Sequence, residues 1–163
     1  MNALLELFRH KTWATIGLIE LCQSLAPETL ETTIPGTYGT VHATIQHLVD
    51  ADAGYFRTVT GERPYGPFSE PIPLAELADH FRRLGPRWEE VIQDPRAHDR
   101  EVTTLNGWRM TGAIPMTQAI HHSEEHRTQV QSILGANGIE LPELAVWGYA
   151  KATGLMELID PSD

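Results

Sequence analysis

Apolar residues recur along this chain at the spacing of helix faces, and the breaks between the recurring stretches fall at Pro, Gly and Asn. Leu4, Leu5, Phe8, Ile19 and Cys22 form one stripe, which predicts a helix from about Asn2, a residue suited to cap it, to Leu25 ahead of Pro27. A second helix is expected from after Thr40 to Thr60, closed by Gly61, with Val41, Ile45, Leu48, Val49, Phe56 and Val59 on its apolar face. A third, Leu74 to Gln93, follows the Pro-rich loop ERPYGPFSEPIP, and Pro86 inside it predicts a kink or a split. The fourth opens near Pro115 and ends before Asn137-Gly138. Between these two, VTTLNGWRM sets β-favouring residues on both sides of Asn106-Gly107, a hairpin signal. A short last helix is expected within Glu143 to Thr153. Four long helices with little strand predict an all-α fold: one domain over residues 1–163, a four-helix bundle with a small hairpin before its last long helix and a short C-terminal helix.

The fourth helix carries the densest chemistry, in HHSEEHRTQV from His121 to Val130. At roughly 100° per residue, Met116, Ala119, Val130, Ile133 and Leu134 share one sector, with His122 and His126 at its side and centre. His121, Glu124, Glu125 and Thr128 fall opposite. The bare spacing carries little weight, because composition alone yields roughly 0.4 His-x-x-x-His pairs in such a chain. The inward direction carries more, since each buried imidazole needs a partner or costs roughly 1–3 kcal/mol. Two readings follow: a hydrogen-bonded pair of core histidines, or two ligands of one metal ion.

In the second helix, ATIQHLVDADAGYF places Asp52 near the middle of the apolar face. A carboxylate there needs a cation, a donor or a proton. It is a candidate catalytic residue, as a base or as the partner that orients a metal-bound imidazole; the structural alternative is a salt bridge, with Arg127 as the candidate cation. His47 lies on a flank with Ala43, Ala51 and Gly54. It is either a surface histidine or, because small residues let helices approach closely, a side chain reaching into a gap between them. Gln129 lies close to His122 on one face, either orienting that ligand or a substrate, or standing as a plain flank amide. Ser123 follows His122, so the His-Glu-x-x-His pattern of zinc proteases is not met and proteolysis is not expected.

Composition narrows the partners. A net charge of −10 opposes nucleic acid and acidic membrane surfaces. The opening LLELF is interrupted by Glu6, Arg9, His10 and Lys11, and no run approaches a membrane span, so a cytoplasmic protein is expected. The single cysteine, Cys22, shares a face with Phe8, Thr15 and Ile19 and reads as a buried, inert thiol.

Three segments together resemble the DinB-like and YfiT-like metal-binding proteins: LFRHKTWATIGLIELCQSL with its central Trp-Ala, TVHATIQHLVDADAGYF with an acidic residue five after the histidine, and HSEEHRTQV. The tail LPELAVWGYAKATG is similar to that family's closing segment, and Thr128 stands where many members have Gly. The resemblance implies a four-helix bundle, a homodimer and a metal triad of His47, His122 and His126. Three imidazoles suit Zn or Ni, with Fe or Mn as further candidates, over Mg or Ca. Three protein ligands leave coordination positions open, as catalytic sites do. The implied activity is metal-dependent hydrolysis, or transfer of a low-molecular-weight thiol to a small-molecule substrate. The alternative is a non-catalytic module in which the metal is structural or sensory and the bundle is a dimeric binding platform. A closed fourth ligand favours the module; an open position facing a cavity under the loops at 61–73 and 94–112 favours the enzyme.

Overall fold

The computed structural model describes residues 2–159. Helix α1 (Ala3–Gln23) begins where the Asn2 side chain accepts the Leu4 N–H at 3.0 Å, satisfying an amide that has no helical acceptor. A single turn, α2 (Pro27–Leu30), leads to α3 (Val41–Thr60), which the Thr40 hydroxyl caps by accepting the Ala43 N–H at 3.2 Å. Gly61 ends α3 at φ 86°, a left-handed conformation that a β-carbon disfavours. Then come α4 (Leu74–Gln93), α5 (Pro95–Asp99), the strands β1 (Glu101–Thr103) and β2 (Arg109–Thr111), α6 (Ala113–Ala136) and α7 (Val146–Ala152). The strands pair antiparallel, Glu101 opposite Thr111 and Thr103 opposite Arg109.

The four long helices close a ring. α1 lies mainly against α4 and α3 against α6, while α3 also meets α4 and α1 meets α6. None of the described helices is long and apolar enough to cross a membrane. The buried residues form two apolar groups. One contains Leu18, Ile45, Leu48, Leu77, Phe81, Val130 and Ile133. The other contains Phe8, Phe56, Val59, Leu84, Trp88, Met116 and Ala119. Cys22 belongs to the first, and burial pushes its thiol up to about 12, which keeps it protonated and unreactive.

Between the two groups lies a polar layer. Lys11 and Asp52, 1% and 2% exposed, form an ion pair at 2.5 Å from Nζ to Oδ1. The Trp88 indole N–H donates to the other carboxylate oxygen at 3.0 Å. The ammonium also lies 4.8 Å from the Phe8 ring centre, 5.1 Å from Trp88 and 5.2 Å from Phe81, so aromatic faces complete its surroundings. Arg127 donates to the Thr15 hydroxyl at 3.1 Å and pairs with Glu124. The salt-bridge reading of Asp52 therefore holds with Lys11, not Arg127, as its cation.

The structure departs from the sequence pattern in several places. α1 ends at Gln23 rather than Leu25, and two short helices, α2 and α5, occupy stretches with no periodic signal. α4 runs unbroken through Pro86. The missing backbone bond costs it little continuity because Leu84 and Trp88, on either side, are both anchored in the core. α6 starts at Ala113, which puts Pro115 at its third position, still within the turn whose amides have no helical partner. At Gly112, just before it, an added Cβ would lie 2.0 Å from the Ala97 carbonyl oxygen. Only glycine admits that approach of α5, which seats the hairpin against the end of the bundle.

Because a buried ion left without its partner is costly, Lys11→Met is expected to lower stability by about 3–5 kcal/mol, read as a drop in the urea midpoint. Lys11→Met combined with Asp52→Leu is expected to recover a large part of that loss. Strictly additive losses would contradict the pairing.

Candidate metal centre

His47 comes from the middle of α3, and His122 and His126 from successive turns of α6, so the close packing of these two helices brings all three imidazoles together. His47 Nε2 lies 3.1 Å from His122 Nε2, which in turn lies 3.1 Å from His126 Nε2. The three side chains form a group of potential ligands within 4.8 Å of one another. One ion at about 2.0–2.1 Å from each nitrogen would hold them about 2.9–3.4 Å apart, between the octahedral and tetrahedral limits. The two spacings to His122 Nε2, each 3.1 Å, fit that range.

Hydrogen bonding alone does not explain the arrangement. Gln129 accepts the Tyr38 backbone N–H at 3.0 Å, which identifies the accepting atom as its carbonyl oxygen. The same oxygen lies 3.0 Å from His126 Nδ1, so Nδ1 carries the proton and Nε2 presents a lone pair. His122 Nε2 faces both other rings yet can donate to only one of them. At least one ring nitrogen is left without a partner inside the cluster. A cation at their common focus satisfies all three.

The electrostatics agree with neutral imidazoles. Burial, reinforced by the neighbouring His126, His47 and His121, lowers the His122 pKa to about 4. Burial likewise lowers that of His47, with His126 adding to it and Asp50 opposing it. Lone pairs are thus available at neutral pH, as metal ligation requires. Aromatic rings fix the imidazole planes: Tyr38 stacks on His47 at 4.0 Å and 11°, and meets His126 edge-on at 5.4 Å. Tyr55 meets His122 edge-on at 5.4 Å.

The candidates picked out in the sequence separate here. The histidines converge. Gln129 touches His126 rather than His122, because three residues along a helix return to the same face within one turn, whereas seven residues are about 10 Å away along the axis. Asp52 does not join the cluster: its oxygens are engaged by Lys11 and Trp88, and among the described residues no hydrogen bond links it to a site histidine. His47 does reach the gap between α3 and α6, but the small residues beyond it, Ala51 and Gly54, line an open groove and are not a helix interface. Tyr65 and Phe68 stack on each other and pack against the core, while Phe68 also borders a hollow beside His47. His121 is exposed and faces Glu125. Tyr38 has no periodic signal because it lies in a loop. Lys11 does have one, since it falls between Phe8 and Thr15 on the buried stripe of α1.

Three histidines projecting from two facing helices of a four-helix bundle form a group that could hold a metal ion, in the place where such bundles commonly build metal sites. The family model for the DinB family matches residues 1–158, and the chain belongs to that family. Among solved structures, it is similar to a DinB-like protein from Bacillus cereus ATCC 10987, with a TM-score of 0.70 at 19% identity over 85% of this chain and 93% of that one. No curated protein matches the sequence.

Replacing His47, His122 or His126 singly by Ala is expected to abolish stoichiometric metal in protein purified without an affinity tag, measured by elemental analysis. His121→Ala is expected to retain it. Gln129→Leu is expected to weaken affinity by about 10–100-fold, because the proton on His126 Nδ1 loses its acceptor. Full occupancy in His47→Ala would exclude the triad.

Proposed function

We propose that this protein is a metal-dependent enzyme acting on a small molecule, with His47, His122 and His126 holding a divalent transition ion, Zn or Ni before Fe or Mn. The observation that carries the reading is the convergence of three ring nitrogens on one point beside open space, with three ligand-bearing side chains in the group among the described residues. Such a set leaves coordination positions for substrate, the arrangement of catalytic rather than structural sites. When bound, the ion would supply Lewis acidity and lower the pKa of a nucleophile to the neutral range. The reaction classes that fit are hydrolysis and transfer of a low-molecular-weight thiol to an electrophilic carbon.

The chain's own groups have separate roles. Gln129 holds the His126 ring in one tautomer, and Tyr38 holds both Gln129 and the His47 plane. Tyr55 presents a phenol whose pKa burial raises, so it stays protonated at neutral pH and can donate a hydrogen bond to a substrate atom. Asp52 acts at a distance, by fixing α3 through Lys11. A second reading, a dimeric non-catalytic module, is favoured by one feature: Leu7, Val146 and Trp147 expose apolar surface on and beside a hollow between α1 and α7. A second copy of the chain would cover it.

Ion-loaded protein is expected to turn over a member of a panel of thiol-transfer and hydrolytic substrates, to lose that activity on chelation, and to regain it when the ion is restored. His122→Ala is expected to be inactive. Asp52→Asn is expected to lower stability while leaving ion content intact. Turnover that survives chelation would refute the enzyme reading. An ion-loaded protein without turnover, sedimenting as a dimer, would support the module.

A further inference from the structure

The space beside the triad has a definite chemical profile. On α3, Ala51, Gly54 and Thr58 stand about one, two and three turns beyond His47; on α6, Gln118 stands about one turn before His122, with Ile114 and Pro115 about two turns before it. Between these rows, under Thr104, Leu105 and Met110 of the hairpin, lies a cleft of ≈ 440 Å³. Small-molecule sites span roughly 300–1,000 Å³. No charged side chain lines it among the described residues. Leu105 and Ile114 are 81% and 56% exposed although they border it, apolar surface that nothing else in the described chain covers.

The two ends of the cleft differ. Toward the triad, Tyr55 and Gln118 line the cleft side by side, and the Tyr55 ring adjoins His122. Away from it, a second hollow of ≈ 270 Å³ continues past Gly54, Thr58 and Leu105 and is lined by Arg57 and Arg63. Arg63 is engaged by Asp50 at 2.7 Å and by the Tyr65 carbonyl oxygen at 2.9 Å. Arg57 has no hydrogen bond or ion pair from its side chain among the described residues. In a chain of net charge −10, a half-buried guanidinium left free at the end of an apolar cleft has a complement to find.

We propose that this groove is the substrate-binding channel, and that its occupant is a small amphipathic anion: an uncharged apolar body in the cleft, a carboxylate or phosphate head paired with Arg57, and the opposite end delivered past Tyr55 to the triad. Arg57 is then the residue that selects charge, and Leu105 and Ile114 are the surfaces that select an apolar body. What happens at the far end rests on the metal-enzyme reading, but binding of body and head does not. The hairpin roof is fixed in place over the cleft, because the Arg100 guanidinium donates to the Val59 carbonyl oxygen at 2.6 Å and so ties the base of β1 to the end of α3.

The test is isothermal titration of metal-free protein with octanoate, octyl phosphate, octanamide and octylamine. At least one of the two anions is expected to bind about tenfold tighter than octanamide, the ratio that one charge-assisted contact supplies; the tighter one names the head group. Octylamine is expected to bind most weakly. Arg57→Gln is expected to erase the preference while leaving octanamide affinity unchanged, and Ile114→Trp, which fills the cleft, to weaken every probe. Because the titration uses metal-free protein, failure of the metal reading leaves this readout intact. Equal affinity for octanoate, octyl phosphate and octanamide, an unchanged preference in Arg57→Gln, or no binding at all would overturn the proposal. So would dissociation of a dimer by Leu105→Asp, because the cleft would then belong to a second copy of the chain.

Discussion

Buried charge sets the terms for this bundle. An ammonium and a carboxylate removed from water are tolerated only when paired and hydrogen-bonded, and Lys11, Asp52 and Trp88 meet that condition by drawing α1, α3 and α4 to one level. Arg127 joins the fourth long helix to the same level through Thr15 on α1. The consequence for the site is rotational. His47 precedes Asp52 by five residues, about 140° around the helix beyond a full turn. Once Asp52 turns toward α1 and α4, His47 must turn toward α6, where His122 and His126 wait. The polar layer thus aims the histidine triad without a hydrogen bond to it among the described residues.

The same level separates two apolar groups, and burial and alignment fall to different parts of the bundle. Above and below, Phe8, Phe56 and Trp88 on one side and Leu18, Leu48 and Phe81 on the other supply the burial that holds the helices together. The polar layer supplies alignment. The imidazoles occupy the rim of that layer, where burial lowers the pKa of His122 and His47 and where His47 borders the hollow beside Tyr38 and Phe68. Neutral nitrogen donors in partly dry surroundings are what a divalent transition ion prefers, and they are also what an unliganded core cannot satisfy by hydrogen bonding.

The long helices are legible in the sequence because their stripes obey the helical period and their ends carry Asn2, Thr40 and Gly61. The hairpin is legible from Asn106-Gly107. α2 and α5 are not, since a helix of one turn has no period to read. At the site, the inward direction of His122 and His126 is visible in α6 alone, whereas His47 stays ambiguous until α3 has a partner: a side chain on a flank of small residues is defined by what packs across from it. Asp52 stands out as needing a cation, but helical periodicity cannot say which of several cations on other helices will reach it. Tyr38 is invisible, because a loop residue that stacks on a ligand is placed by tertiary contacts only. Gln129 is assigned by periodicity to the right cluster and to the wrong histidine, a difference of one helical turn.

The central claim is that His47, His122 and His126 share one ion with a position left for substrate. X-ray absorption at the metal edge of the ion-loaded protein tests it directly. Imidazole scattering from three nitrogen ligands is expected at about 2.0–2.1 Å for zinc, with one or two further light atoms from solvent. Sulfur in the shell, fewer than three imidazoles, or a spectrum unchanged by His47→Ala would contradict it.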